Sequence, residues 1–362
     1  MILQTTLKNP ILLEQGKYLK ILELFGGIAS ASKALLKMGI LYKSLDYVEI
    51  DTKAVRSYNA LSTNWRTNQA DALSVLDYIA HLTPHILIHG SPCQDYSRSG
   101  QRWGGKDEDK TRSSLMHETL RIVESMGRHK PEVIIWENVA GVLDKDMIQG
   151  FQQYLKELEN LGYENSYEVL NSMDFGIPQN RNRIYVISLL NGESFDFSTL
   201  KRKPCRPISD FLEPDEEVSD RYTVKQPSML NKLADLNTDH TNKNYQRFIP
   251  TIKDFAWTIT TRQDRCPNSG VIKRENGDYR YLTERETFRL MGYSDYDFDI
   301  LEKAHPVKRQ GAMNYTLYKQ AGNSIVVDVL VAIYESLIEN YLKIQIDREE
   351  PQLDLFEHSH GF

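Results

Sequence analysis

A chain of 362 residues is too long for one small core and implies about two domains, and 40% hydrophobic with 26% charged residues is ordinary for a soluble globular enzyme. No apolar stretch reaches the roughly 18–20 residues of a membrane span, Met1 to Thr6 lack the basic flank and apolar block of a signal peptide, and three scattered cysteines (Cys93, Cys205, Cys266) give neither a disulfide framework nor a metal site. The expectation is a cytoplasmic enzyme whose net charge of −6 excludes a uniformly basic surface but not one basic binding face.

In chain order, Lys20 to Phe25 alternates like a strand and runs into Gly26-Gly27. Ser30 to Met38 has helical spacing, with Ser30 placed to cap it and Gly39 to stop it. Tyr42 to Ile50 reads as a second strand and Asp51 to Asn59 as a second helix. Strand-like runs recur at 85–89, 133–136, 167–170 and 184–189, with helical patterns at 115–126 and 148–161. Such alternation predicts an α/β fold with a mostly parallel, doubly wound sheet.

The pattern breaks at Asn191-Gly192, where a stretch rich in Pro, Asn, Asp and Lys begins. From Arg221 to Arg265 it carries eight basic residues against four acidic ones, a local balance of +4. Thr283 with Glu286 forms a capping-box pattern opening a helix, and Ser324 to Ile333 reads as a long apolar helix returning to the first domain. The expected organisation is a catalytic domain over 1–192, a smaller loop-rich domain over 193–303, a returning segment over 304–345 and a polar tail over 346–362.

The chemistry concentrates at strand exits. Cys93 follows the apolar run 85–88, and Glu137 ends the run 133–136. A thiol and a carboxylate on neighbouring strand ends can face one another across one pocket, pairing a nucleophile with an acid. Phe25 to Ser30 joins a strand to a helix through small residues that let backbone approach a ligand, and Glu49, about twenty residues on, suits ribose hydroxyls. Asp71 is placed for an adenine amino group. Gln179, Arg181 and Arg183 share one face if extended. Taken singly, each has a bland reading: a tight turn, a buried thiol, a surface acid, a solvated edge.

Together these segments resemble the 5-methylcytosine DNA methyltransferase family of bacterial or phage type. Phe25-x-Gly27 resembles its cofactor loop, Gly90-Ser91-Pro92-Cys93-Gln94 its nucleophile loop, Glu137-Asn138-Val139 its acid motif and Gln179-x-Arg181-x-Arg183 its arginine motif. Leu282 to Tyr293 and Gln320 to Val327 also fit, so the likeness runs from about Lys20 to Tyr341. Ala29-Ser30 departs from it, since many members carry Gly-Gly there.

The resemblance implies a Rossmann-like sheet with a target-recognition domain, and S-adenosylmethionine as methyl donor. Phe25, Gly27, Ile28, Glu49, Ile50, Asp71, Ala72, Pro92, Leu115, Asn323 and Ser324 would hold the donor. Cys93, Glu137, Arg181 and Arg183 would be catalytic, acting on carbon 5 of a flipped-out cytosine through a Cys93 adduct. Ser97, Ser99, Gln101 and Arg102, on a loop hinged at Gly100, Gly104 and Gly105, would face DNA with Arg247, Thr258, Thr260, Arg262 and Arg265. No metal is expected. Double-stranded DNA near the nucleoid is the implied partner, the protein a monomer, and a cognate restriction endonuclease a possible companion without contact. The alternatives are a transfer-RNA cytosine methyltransferase, whose Cys-Phe-Thr signature is missing here, and a dinucleotide-dependent oxidoreductase, which leaves Cys93 and Glu137 unexplained.

Overall fold

The computed structural model describes residues 18–65, 82–91, 115–190, 192–233, 248–265, 267–307, 309 and 311–342. Within them, β1 (Leu19–Leu24), α1 (Ser30–Lys37), β2 (Tyr42–Val48), α2 (Thr52–Asn64), β3 (Ile86–His89), α3 (Leu115–Ser125), β4 (Val133–Val139), α4 (Ile148–Asn160), β5 (Tyr163–Asn171), β6 (Gln179–Asn180) and β7 (Asn182–Leu190) follow the alternation read from the sequence. Five of these strands and β2 make one sheet of order β2-β1-β3-β4-β7-β5. The pairs β1/β2, β1/β3 and β3/β4 are parallel, while β7 runs antiparallel to both β4 and β5. The fold is thus Rossmann-like α/β, with one reversed strand. Strand order turns back between β1 and β3, and ligands of such sheets bind beyond the carboxyl ends at that switch.

Alternation along each strand divides the core in two. Leu19 and Ile21, Ile86 and Ile88, and Val133 and Ile135 face one layer, shared with α1 and α2. Leu22 and Leu24, Leu87, and Ile134 and Trp136 face the other, against α3 and α4. Two details of the first helix differ from expectation. Its cap position is Ala29 in a left-handed conformation (φ 70°, ψ 36°) with no side-chain cap, so Ser30 is not the cap. The Ser30 hydroxyl instead lies 2.9 Å from the Tyr293 hydroxyl, buried. Gly39 does stop the helix, at φ 66°.

Beyond Gly192 the chain is loop-rich, with α5 (Pro227–Leu230), β8 (Ala256–Trp257), β9 (Ile272–Lys273) and β10 (Tyr279–Arg280) as short elements. A separate small core of Val224, Met229, Leu233, Ile249, Val271, Tyr279 and Tyr281 holds it. Then come α6 (Glu284–Arg289), α7 (Asp295–Ala304), α8 (Tyr315–Asn323) and α9 (Val327–Asn340). The capping box at Thr283 and Glu286 is present with both bonds made. The last helix is α9, almost wholly buried in the same core as α1, and Lys37 bonds Asp328 at 3.0 Å. Across α8 and α9 an 18-residue window reaches mean hydropathy 1.5, with 72% of it buried inside the protein, so that apolarity is core-forming.

Candidate functional site

The acid comes first, because strand register fixes it. β3 and β4 pair with His89 opposite Trp136, which brings Gly90, just past β3, beside Glu137. A Cβ added at Gly90 would stand 3.8 Å from the Glu137 Oε2. The chain beyond is tied down: the Trp136 indole donates to Ser91 Oγ at 3.0 Å, and the Asn138 amide donates to the Ser91 carbonyl at 3.4 Å. Pro92 and Cys93 lie outside the described residues. Glu137 keeps 12% of its side chain accessible, and Arg183 Nε stands 3.3 Å from its Oε1. In the antiparallel β4/β7 pair Arg183 lies opposite Val139, so it reaches Glu137 diagonally. Burial raises the Glu137 carboxyl above its ordinary value, and the charges of Arg183 and Arg181 only partly offset that.

Gln179 and Arg181 are not a solvated edge; both are buried. Gln179 accepts from the Ile259 amide at 3.0 Å and donates to the Leu290 carbonyl at 2.7 Å. The Arg181 guanidinium donates to the carbonyls of Ile259 at 2.9 Å, Gly322 at 3.1 Å and Ser324 at 2.9 Å. Chain segments from 256–261 and 322–324 are thereby clamped to the strand that carries Arg183. Gly322 permits this: a Cβ there would lie 2.4 Å from the Thr260 carbonyl carbon.

On the other side of the switch, the turn after β1 is strained. Phe25 (φ 53°) and Ala29 (φ 70°) are left-handed without being glycine, a conformation costing about 1–3 kcal/mol each and persisting where surroundings enforce it. Those surroundings are specific. The Tyr47 hydroxyl donates to the Gly27 carbonyl at 2.5 Å, and Glu49 accepts from the Gly27 amide at 3.1 Å. The other Glu49 oxygen accepts from the Ile50 and Asp51 amides, each at 2.8 Å. A Cβ on Gly27 would meet nothing within 4 Å, and Ile50 next to Glu49 is 95% exposed. Open space over a glycine, a bare apolar side chain and a carboxylate with spare lone pairs make a cradle for a ligand having both a ring and hydroxyls.

The segments carrying both halves lie within one family match: the family profile described as C-5 cytosine-specific DNA methylase matches residues 19–339. The chain belongs to that family. Among its relatives, the type II methyltransferase M2.ScrFI of Lactococcus lactis subsp. cremoris is 31% identical over 89% of this chain and 99% of its own length. M.Bsp6I of Bacillus sp. (strain RFL6), also a type II methyltransferase, is 33% identical over 71% and 79%. In fold, the chain is similar to the Entamoeba histolytica methyltransferase EhMeth, with TM-score 0.69 at 20% identity over 90% of this chain and 100% of that one. As a member, this protein is a DNA cytosine-5 methyltransferase.

For a C-5 cytosine methylase, the sequence-derived site residues distribute unevenly. The structure brings Glu137 and Arg183 together, and Phe25, Gly27, Ile28, Glu49 and Ile50 around one turn. Asn323 is exposed at the carboxyl end of α8, while Ser324 is buried and donates to the Gln320 carbonyl at 2.8 Å. Leu115 is the first residue of α3. Thr258 donates to the Asn180 carbonyl at 2.8 Å, Thr260 packs by its backbone on Gly322, and exposed Arg262 lies 5.6 Å over the Tyr315 ring. Arg265 is exposed beside Asp264. Asp71, Ala72, Ser97, Ser99, Gln101, Arg102 and Arg247 fall outside the described residues. Two large aromatics that the sequence reading did not single out are also exposed, Trp257 at 45% and Tyr315, beside Arg262, at 40%.

Proposed function

We propose that the protein methylates carbon 5 of a flipped-out cytosine in a specific duplex DNA sequence, through a transient Cys93 adduct, with S-adenosylmethionine as donor. The observation carrying this reading is the Gly90–Ser91 chain held against Glu137 by Trp136 and Asn138, two residues before the only thiol near the acid in sequence. Phe25, Gly27, Glu49 and Ile50 fit the donor's adenosine and methionine ends. Bound there, the donor supplies an electrophilic methyl group.

Carbon 5 of cytosine is a poor nucleophile, so the ring must first gain electrons. The Cys93 thiolate forms a bond to carbon 6, and the displaced ring electrons make carbon 5 nucleophilic. Glu137, its carboxyl raised above the ordinary value by burial, gives a proton to ring nitrogen 3, and Arg183 holds Glu137 and the base carbonyl in place. After transfer a base removes the carbon 5 proton, the carbon–hydrogen electrons reform the ring double bond, the carbon–sulfur pair leaves with Cys93 as thiolate, and ring nitrogen 3 returns its proton to Glu137. A stacked base cannot reach these groups, which requires eversion.

Residues 193–303 serve as the target-recognition domain, with Trp257, Arg262 and Arg265 toward DNA, and 304–345, with Tyr315 beside Arg262, as the return to the catalytic domain. Arg181 positions this domain on the acid side. The protein works as a monomer on DNA in the cytoplasm, in a restriction-modification or orphan setting. Duplexes bearing 5-fluorocytosine at methylated sites, supplied with donor, are expected to form a denaturant-resistant complex that Cys93→Ser cannot form. Absence of that complex, or methyl incorporation into transfer RNA and not duplex DNA, overturns the reading.

A further inference from the structure

Glu23 has no part in the mechanism above, yet it is a wholly buried carboxyl on β1, two residues before the strained turn. Its Oε1 accepts from three hydroxyls: Ser32 at 2.9 Å, Tyr58 at 3.0 Å and Ser44 at 3.2 Å. Its Oε2 is buried with no hydrogen-bond partner among the described residues. Neither protonation state is therefore satisfied. As an acid, the O–H on Oε2 lacks an acceptor; as a carboxylate, a buried negative oxygen lacks a donor.

Among the described residues no cation pairs with it. Lys33, on α1, is held by Asp297 at 2.7 Å. The titratable groups facing it are tyrosines: Tyr47 on β2, Tyr58 on α2, Tyr293 before α7 and Tyr334 on α9, with Tyr42 beyond Tyr58. Asp46 and Glu49 on β2, Asp51 before α2 and Asp297 on α7 add only negative charge to this neighbourhood. Burial pushes the Glu23 carboxyl up to about 7, against the pull of its three hydroxyl donors.

Glu23 is also mechanically joined to the turn. A Cβ on Gly26 would lie 3.2 Å from the Glu23 Cβ and 2.6 Å from the Tyr47 ring. Tyr47 stacks on Tyr58 at 3.8 Å between centroids, and its hydroxyl holds the Gly27 carbonyl. No positive charge from the described residues answers this carboxyl, which packs against the turn at Gly26.

We infer that Glu23 is a proton-linked counter-charge which discriminates a cationic sulfonium donor from its neutral thioether product. When the cation occupies the turn, Glu23 releases its proton to solvent. After the methyl group leaves, the remaining thioether is neutral, Glu23 takes a proton back, and the product is held less tightly. This rests on the reading of the turn as the S-adenosylmethionine site.

The test is calorimetric titration of the full-length protein with S-adenosylmethionine and separately with S-adenosylhomocysteine, at pH 6 to 8, in buffers of different ionisation heat. The amino-acid end common to both ligands cancels in the comparison. The donor is expected to release a fraction of a proton near pH 7 and the thioether almost none. The affinity ratio of donor to thioether should rise with pH by up to about tenfold, the size of one pKa unit of coupling. Glu23→Gln should abolish both effects, and Tyr58→Phe, which removes one donor to the carboxyl, should move the transition to higher pH. Equal proton release by the two ligands, or release that persists in Glu23→Gln, overturns the inference alone. Failure of both ligands to bind wild type sinks the donor reading with it.

Discussion

Glu23 and Glu137 stand on the same face of one sheet, two strands apart, and burial treats them alike while their neighbours do not. The row Glu23–Ile88–Ile135 crosses β1, β3 and β4, and Glu137 lies one pleat beyond it, toward the ligand end. Both carboxyls are raised by desolvation. Glu137 has Arg183 at 3.3 Å and the charge of Arg181, whereas Glu23 has only hydroxyls. Near the ends of two strands of one sheet, a guanidinium diagonal to the acid makes a group that delivers a proton to a ligand, while a shell of hydroxyls makes a group that answers charge at a distance.

The largest effect that separates the two belongs to Glu137→Gln. It should lower kcat for methyl transfer by about 10²–10⁴-fold, the usual worth of a positioned general acid, with donor affinity unchanged in calorimetry. Near-normal turnover would assign the acid to the wrong strand. Arg183 lowers the Glu137 pKa, so Arg183→Gln should raise it further. The alkaline limb of the normalised pH–rate profile then shifts upward, and Glu23→Gln leaves that limb where it was.

Stability sharpens the comparison from the other side. A carboxyl raised from 4.5 to about 7 is protonated in the fold and ionised in the unfolded chain across that window. Stability therefore falls as pH rises from about 4.5 to about 7 and levels off above, by up to about 3 kcal/mol at about 1.4 kcal/mol per unit. Urea titrations at pH 5.5 and 8 should show this slope reduced in Glu23→Gln. An identical slope in both proteins would mean that Glu23 is not the group responsible.

Most of what positions these two acids was legible in the chain. Alternating runs at 20–25, 85–89 and 133–136 announced buried strands, and Gly26-Gly27 and Gly90 follow two of them closely, but the third strand runs on to Val139 and carries Glu137 within it. The capping box at Thr283 was equally plain. What escaped depends on groups distant in sequence. Ser30 looks like a cap, but Tyr293, 263 residues away, takes its hydroxyl. Arg181 resembles a solvated edge residue until the carbonyls of Ile259, Gly322 and Ser324 converge on it. Glu23 looks like one more polar strand position, because nothing local says that Ser32, Ser44 and Tyr58 will close over it.

The clamp beside Glu137 gives an intermediate effect. Gly322→Ala would drive a methyl to 2.4 Å from the Thr260 carbonyl carbon and 2.6 Å from the Thr261 nitrogen, both backbone atoms that cannot swing aside. The expected loss is about 1–3 kcal/mol of stability, as for overpacking elsewhere, together with weaker DNA methylation. Asn323 and Ser324, beside the clash, can weaken donor affinity, but proton release per bound donor should survive, since the shell of Glu23 comes from α1, β2 and α2. If donor-linked proton release is lost as well, the two halves are not separable and the comparison between the two glutamates fails.

The smallest effect tests whether charge pairing without burial matters near the turn. Lys319 on α8 bonds Asp51 at 2.7 Å, and Asp51 caps α2 and donates its amide to Glu49. Both side chains remain about a third accessible, at 39% and 32%, so water and salt screen the pair. Lys319→Ala should cost no more than about 1 kcal/mol, less still at about 1 M salt, and should change donor affinity by less than about threefold, or roughly 0.6 kcal/mol. The Asp51 carboxyl, held below its usual value chiefly by Lys319 against its partial burial, should rise in the variant. A tenfold loss of donor affinity would show instead that this exposed pair sets the Glu49 geometry, and that the donor side depends on surface charge as strongly as the acid side depends on its buried arginine.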